Sequence, residues 1–271
     1  DNVIAVLYAD GEISDAGSEG IVGKKILKTI KKIAKNDKVK AVVMRVNSPG
    51  GSADVSEQIW YAMQQLKAQG LPVVVSMGDY AASGGYYISC GADYIFAQPN
   101  TLPGSIGIFG LVPDVSGLRN RIGIDIDGVG TNKFSTSHMI LKGMTDDEHQ
   151  LMQAMVKRGY DLFTRRCAEG RHMSPDAIKQ IGEGRVWIGQ DALQIGLVDA
   201  MGNLDDAVIK AAELADVEHY TLSYYPEKKR FIEELLLSLD TPTGEEKIMA
   251  ELKNRFSKTC IMALMPDHVV Y

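Results

Sequence analysis

The sequence predicts an α/β fold built on a mostly parallel sheet that is buried on both faces. Three observations predict it. Short, continuously apolar runs rich in β-branched residues recur at 3–8, 41–46 and 73–77; stretches with apolar residues at helical spacing separate them; and glycine-rich turns follow the second and third runs. Strands that are apolar at every position need cover on both faces, and parallel neighbours need crossovers that are usually helical. With 271 residues, 45% of them apolar, the chain can bury a substantial core.

Taken in order, residues 3–8 form the first strand, and residues 21–35 a helix with Ile21, Ile26, Ile30 and Ile33 on one stripe. The run 41–46 is a second strand, ended by Asn47-Ser48-Pro49-Gly50-Gly51, where Pro fixes φ and the glycines open conformations closed to other residues. Residues 52–69 read as a helix with Val55, Ile59, Met63 and Leu66 inward, and 73–77 as a strand broken by Gly78. A short buried helix at 83–90 and a strand at 94–97 follow. Beyond Gly104 the pattern gives an apolar run at 106–112, a helix near 115–122 and a strand near 124–129. Thr145-Asp146-Asp147-Glu148 opens a long helix to residue 170, with a capping threonine and acids in the first turn. Ser174-Pro175 opens another, with Pro at the first helical position. Short strands are expected at 186–188, 197–198 and 220–225, and a helix at 205–215. Two further helical segments, 227–239 and 244–258, complete the chain. The expected division is a catalytic domain over residues 1–215 and a helical C-terminal extension over 216–271 that serves packing or oligomerisation.

Composition narrows the function. A formal charge of −6 argues against nucleic acid as a partner, whose binders carry a basic footprint. No run of about 20 apolar residues exists to span a bilayer. The chain begins at Asp1 without initiator Met or signal-peptide pattern, directly on a strand, which is expected of a segment of a longer protein. Cys90, Cys167 and Cys260 are far apart and odd in number, with no paired spacing. They are expected to be buried free thiols rather than zinc ligands or a redox pair. No metal site and no organic cofactor is indicated.

Two turns carry the chemistry, because ligand sites in parallel sheets form beyond the carboxyl ends of strands. The turn at 47–52 leads into a helix and offers backbone N–H groups where negative charge is favoured. The turn Gly78-Asp79-Tyr80-Ala81-Ala82-Ser83-Gly84-Gly85 also leads into a helix, and its small neighbours leave the Ser83 hydroxyl uncrowded. Donors from the two turns would form an oxyanion hole if Ser83 attacks a carbonyl. Taken alone, Ser-Gly-Gly after a strand is most often only a turn. Neither segment is the Gly-x-Ser-x-Gly elbow or a phosphate loop, since Ala81 replaces the first glycine and no Gly-Lys-Ser/Thr follows. No histidine precedes His138, and His149, His172, His219 and His268 lie in helical or peripheral segments, so a histidine-assisted triad is poorly supported. The alternative base is a lysine made neutral by burial. Most lysines sit in charged runs such as Lys24-Lys25 and Lys31-Lys32; Lys133, just after the strand expected at 124–129, is the candidate in this chain.

These residues resemble a known family. Val46-Asn47-Ser48-Pro49-Gly50-Gly51, the stretch from Ser76 through Ser83-Gly84-Gly85 to Ser89, and Thr101-Leu102-Pro103-Gly104-Ser105-Ile106-Gly107 are similar to signal peptide peptidase A, the protease IV family. Val186-Trp187-Ile188-Gly189-Gln190-Asp191-Ala192 and Gly196-Leu197-Val198-Asp199 resemble it too, so the matches extend over roughly residues 1–215. The resemblance implies a Clp/crotonase-like fold of repeated β-β-α units. It also implies a Ser/Lys dyad endopeptidase that degrades cleaved signal peptides and other apolar peptides at the membrane surface. By position, Ser83 is the nucleophile, Ser105 orients the lysine amine, and Gly51 and Gly84 supply the oxyanion-hole amides. It further implies an oligomer, with a tetramer favoured, at the extracytoplasmic face of the bacterial inner membrane, anchored by a segment outside this chain.

The lysine departs from the pattern. Short members hold both catalytic residues in one domain; in long members an N-terminal domain supplies the lysine to a C-terminal serine. In Gly130-Thr131-Asn132-Lys133-Phe134-Ser135, matching on Gly130-Thr131 puts Lys133 at the lysine position, and matching on Phe134 puts Ser135 there. The second match makes this chain the C-terminal half of a long member, with the N-terminal domain of the same parent as its partner. Two other readings stand beside it: a crotonase-like acyl-CoA enzyme using the same oxyanion hole, and a non-catalytic assembly module. In the extension, Phe231, Leu235, Leu236 and Leu237 form an apolar face that docks on its own domain or on another subunit.

Overall fold

A computed structural model describes residues 2–135 and 141–226 and the backbone of 260–264. Two compact units divide the chain; among described residues the first comprises 2–108, 159–226 and 262–264, and the second 109–135, 141–158 and 260–261. The chain runs through β1 (Asn2–Asp10), β2 (Ile13–Ser14), β3 (Ile21–Val22), α1 (Gly23–Ala34), β4 (Val39–Ser48), β5 (Gly50–Ser52), α2 (Ala53–Ala68), β6 (Val73–Ala82), α3 (Gly84–Ser89), β7 (Tyr94–Ala97) and β8 (Leu102–Gly104). It continues through β9 (Phe109–Leu111), α4 (Ser116–Ile122), α5 (Asp146–Arg171), α6 (Pro175–Ile181), α7 (Gly189–Gln194), β10 (Ala200–Met201), α8 (Leu204–Leu214), β11 (Tyr220–Tyr225) and β12 (Cys260–Leu264).

In the first unit one sheet runs β10-β7-β6-β4-β1-β11, with β8 also pairing β6, and every pairing in it is parallel. Alternation along its strands explains why they are apolar throughout. Ala5, Leu7, Val42, Met44, Val73 and Val75 face one core, which also takes Ile26, Ile30 and Ile33 of α1, Ile59, Met63 and Leu66 of α2, and Phe163 and Cys167 of α5. Ile4, Val6, Ala41, Val43 and Val74 face the other, under Ala207, Val208 and Ala211 of α8. Each fully buried Ile, Leu or Met contributes about 1.5–3 kcal/mol relative to exposure. Caps fix where the helices start: Ser52 accepts from the Val55 N–H, Ser174 from Ala177 with Pro175 in the first turn, and Asn203 and Asp206 form a reciprocal capping box on α8. A second, smaller sheet contains the order β3-β2-β5-β12.

Several expectations are revised. Gly78 does not end its strand: β6 runs through it to Ala82, because the Asn47 side chain supplies acceptors where the β4 ladder slips, as described below. Residues 124–129 form no strand; Ile124 is half exposed and Val129 almost wholly so, with no sheet edge to cover them. Residues 186–188 contribute one isolated bridge, Val186 to Gly104, and the strand expected at 197–198 lies instead at Ala200–Met201. The strand expected at 220–225 is present as β11, the edge strand of the main sheet, paired with β1. The helical segments expected at 227–239 and 244–258, with Phe231 and Leu235–Leu237, lie outside the described residues.

Candidate active site

The two glycine-rich turns lie at the carboxyl ends of the adjacent parallel strands β4 and β6. The ladder between these strands shifts register between Val46 and Ser48, and the Asn47 side chain fills the gap. Its Oδ1 accepts from the N–H groups of Asp79 (3.1 Å) and Tyr80 (3.4 Å), and its Nδ2 donates to Asp10 at 3.1 Å. Ser48 is wholly buried; its hydroxyl donates to the Gly11 carbonyl at 2.6 Å and accepts the Gly50 N–H at 3.1 Å. Gly51 has φ +151°, and a β-carbon there would lie 1.9 Å from the Ile13 carbonyl oxygen, so no side chain fits.

Ser83 follows β6 and precedes α3. Its φ of +54° and ψ of −115° place a non-glycine residue in a sparsely populated region that costs on the order of 1–3 kcal/mol. Its N–H donates to the Gly104 carbonyl at 2.7 Å, and its carbonyl accepts the Tyr87 N–H. Ser83 is 1% exposed, and its hydroxyl has among described residues only a 3.5 Å approach to the Gly107 carbonyl, a length at which little bonding remains. The hydroxyl of this buried residue is close to uncommitted. The Gly84 N–H lies in the first turn of α3, where no intrahelical acceptor exists.

Ser105 comes beside it through the β6–β8 pairing. Tyr80, Ala81 and Ala82 pair with Leu102, Pro103 and Gly104, so Ser83 and Ser105 are the next residues on each strand. Ser105 is also left-handed, at φ +48°, and buried. Its N–H donates to the Arg185 carbonyl at 2.7 Å and its hydroxyl to the Gly184 carbonyl at 3.4 Å. Trp187 supports this loop: its N–H donates to the Pro103 carbonyl, its indole to the Ile181 carbonyl, and a β-carbon on Gly104 would come within 3.0 Å of its ring.

Beneath the nucleophile, α3 is anchored by two tyrosines. Tyr86 is fully buried, donates to the Leu197 carbonyl at 2.8 Å, and burial pushes its phenol far above the usual range. Tyr87 donates to Glu57 at 2.7 Å; burial and that carboxylate push its phenol up as well. Both stay protonated donors. Arg166 closes the group, with Nη2 at 2.6 Å from Glu57 and its guanidinium over the Trp60 ring.

The structure thus brings Ser83, Gly84 and Ser105 together, and Gly51 joins them on the neighbouring turn. Lys133 belongs to the second unit, where its side chain is 63% exposed and its Nζ lies 2.6 Å from Asp147. Ser135, the alternative match, holds its own turn by accepting the Asn132 N–H at 3.0 Å. His138 lies outside the described residues. The sequence reading passed over Asn47, Ser48 and Trp187 as positioning residues. Their signal was adjacency, since each stands inside a motif already singled out. Cys90 and Cys167 are buried free thiols, and burial pushes the Cys167 thiol up. Among the described residues no cluster of three or more His, Cys, Asp or Glu is placed to hold a metal ion, and no helix is long and apolar enough to cross a membrane.

Comparison with known proteins places the chain in a family. The family model "Peptidase family S49" matches residues 65–218, and a Clp protease model matches residues 6–102. Protease 4 of Salmonella typhi is 43% identical over 249 residues, covering 91% of this chain and 40% of that protein. Protease 4 of Haemophilus influenzae is 38% identical, covering 91% and 41%. A putative signal peptide peptidase SppA of Enterococcus faecium is 34% identical, covering 76% and 61%. The chain therefore spans about two fifths of the length of the two Protease 4 relatives. Among solved structures, a ClpP1 point mutant from Listeria monocytogenes superposes with a TM-score of 0.50 at 17% identity, covering 75% of this chain and 94% of that one. That likeness shows a Clp protease-like fold.

Proposed function

The chain belongs to peptidase family S49, and on that premise we propose that it carries the nucleophile of a serine endopeptidase working by a Ser/Lys dyad. The observation that carries this reading is the pair of buried, left-handed serines at adjacent strand ends, with the Ser83 hydroxyl almost free of partners. A neutral lysine amine takes the Ser83 proton as Oγ attacks the peptide carbonyl. The Gly84 and Gly51 N–H groups receive the oxyanion, which such donors stabilise by about 2.7–4 kcal/mol each. The amine leaves with the proton returned by the lysine, and water then cleaves the ester. Ser105 accepts a hydrogen bond from the amine and fixes its direction.

A general-base amine must be desolvated to be neutral near pH 7. Lys133 is exposed and paired with a carboxylate, so the base is assigned to an N-terminal part of a longer protein, in keeping with the relatives' greater length. The substrates are extended apolar peptides, cleaved signal peptides among them, met at the outer face of the bacterial inner membrane by a homo-oligomer, a tetramer in the favoured form. The test is turnover of an apolar fluorogenic peptide by this chain alone and by the longer protein. Turnover is expected from the longer protein and little from the chain alone, with Ser83→Ala silent in either. Robust turnover by the chain alone that Lys133→Ala abolishes would return the base to Lys133. Labelling of Ser83 by a serine-reactive probe separates an enzyme from an assembly module.

A further inference from the structure

Of the chain's three cysteines, two that are far apart in sequence come together beneath the nucleophile's helix. Cys90 caps the C-terminal end of α3, Cys167 lies in α5, and both are fully buried in the first unit. The packing of the two helices sets them opposite each other. The Tyr87 ring stacks on Phe163 with centroids 4.4 Å apart, and a β-carbon on Gly170 would collide with the Cys90 carbonyl. Cys90 stands one turn beyond Tyr87, and Cys167 stands between Phe163 and Gly170, one turn from each. The thiols also follow one another in a chain of contacts. Cys90 Sγ donates to the Tyr87 carbonyl at 3.2 Å, and the Cys167 thiol has the Cys90 side chain as its hydrogen-bond partner.

A disulfide spans only about 4.4–6.8 Å between α-carbons, so it needs helices in backbone contact. Gly170, lacking a side chain, gives α5 that approach to Cys90. The six residues of α3 are too few to hold a helix in isolation, and Ser83 stands at its N-terminal end. A covalent bond at Cys90 would fix the opposite end of the same helix.

We propose that Cys90 and Cys167 are the reduced form of a disulfide that fastens the nucleophile's helix to α5. The proposal takes its oxidant from the extracytoplasmic setting of the functional reading, but its test reads thiols and stability, not catalysis. One cysteine thiolate attacks a disulfide oxidant, such as oxidised glutathione, forming a mixed disulfide and releasing one thiol. The second cysteine thiolate then displaces the other half. The cysteines give up two electrons and two protons, which the two halves of the oxidant carry away as thiols. Burial pushes the Cys167 thiol well up, and buried thiols are inert, so the exchange takes place before α5 closes on α3. The bond closes a loop that contains Ser105 and residues 109–158, and removes that loop's freedom from the unfolded chain.

The experiment reduces and unfolds the full chain and refolds it in a buffer of reduced and oxidised glutathione. Remaining thiols are then blocked with iodoacetamide, and linked peptides are mapped by mass. One bond joining Cys90 to Cys167 is expected, with Cys260 alkylated. The oxidised form should melt about 5–15 °C above the same chain refolded with reductant. Cys167→Ser should abolish both the bond and the redox dependence of Tm; the map of the parent chain decides whether or not that variant folds. Alkylation of both Cys90 and Cys167 after refolding overturns the proposal, as does a link from either to Cys260 or to glutathione. Equal Tm with and without the bond overturns it too, since the bond would then fasten nothing. Failure of Ser83 to label or turn over substrate would sink the catalytic reading while leaving the thiol map to stand or fall separately.

Discussion

The backbone of Gly85 lies against Ser48: a β-carbon on Gly85 would come within 2.5 Å of the Ser48 carbonyl oxygen and 3.2 Å of its β-carbon. The first turn of the nucleophile's helix is thereby seated on the turn that presents Gly51. The closest approach between the two strand-turn-helix units is to backbone, which cannot adapt as a side chain could.

Gly85→Ala is therefore expected to push the two turns apart. Overpacking of this kind costs about 1–3 kcal/mol, which in a domain of this size lowers Tm by roughly 2–4 °C per kcal/mol. Peptide turnover by the longer protein should fall further than stability does, because the oxyanion donors separate. Gly117→Ala, in α4 with nothing within 4 Å of the added carbon, is the control and should leave Tm unchanged or slightly higher. Equal Tm for the two variants would remove the interlock.

Ser83 holds its left-handed backbone without glycine's freedom. Glycine should relieve that strain, so Ser83→Gly is expected to be more stable than Ser83→Ala by about 1 kcal/mol, while both lose turnover. Urea unfolding of the two variants measures the difference. A Gly variant no more stable than the Ala variant would mean that the conformation carries no strain.

The main sheet was legible because each of its long strands is buried on both faces, so a single apolar run announces strand, burial and crossover together. Ser83 and Ser105 were legible only in part. The turn around Ser83 stood out by its glycines, but a bare serine between strand and helix is ordinary, and the resemblance singled out Ser105 rather than any local pattern. The pairing that places the two serines side by side was not readable, because β8 is three residues long with proline at its centre. β5 was hidden for a related reason: Gly50-Gly51-Ser52 has turn chemistry, and becomes a strand only because β2 and β12 flank it. Residues 124–129 misled in the opposite sense, since alternation without a sheet edge to join does not make a strand.

The Arg171–Asp199 pair should be worth more than its surface counterparts. Arg171 is 7% exposed, with Nη2 at 2.6 Å and Nη1 at 3.1 Å from the carboxylate, and that carboxylate also accepts the Ile95 N–H at 2.8 Å. Asp199→Ala leaves a buried guanidinium and an unpaired strand amide, at a cost of about 3–5 kcal/mol. Adding Arg171→Met should recover part of the loss, because it removes the unpaired charge. Chemical denaturation of the single and double variants checks the order; a double variant no more stable than Asp199→Ala would contradict it.

The N-terminus of α5 should carry a pH step of defined sign. The Thr145 N–H and hydroxyl both donate to the Glu148 carboxylate at 2.8 Å, and these bonds hold its carboxyl below the ordinary range. A depressed folded value means that the contribution is complete above the ordinary carboxylate range and is lost as pH falls through the lower folded value. Amide protection over 146–150 should accordingly weaken as pH falls below the ordinary carboxylate range. Glu148→Gln keeps the geometry of a capping box but cannot titrate, so its protection should start lower and lack that step. A variant that reproduced the parent's step would show that Glu148 does not carry it.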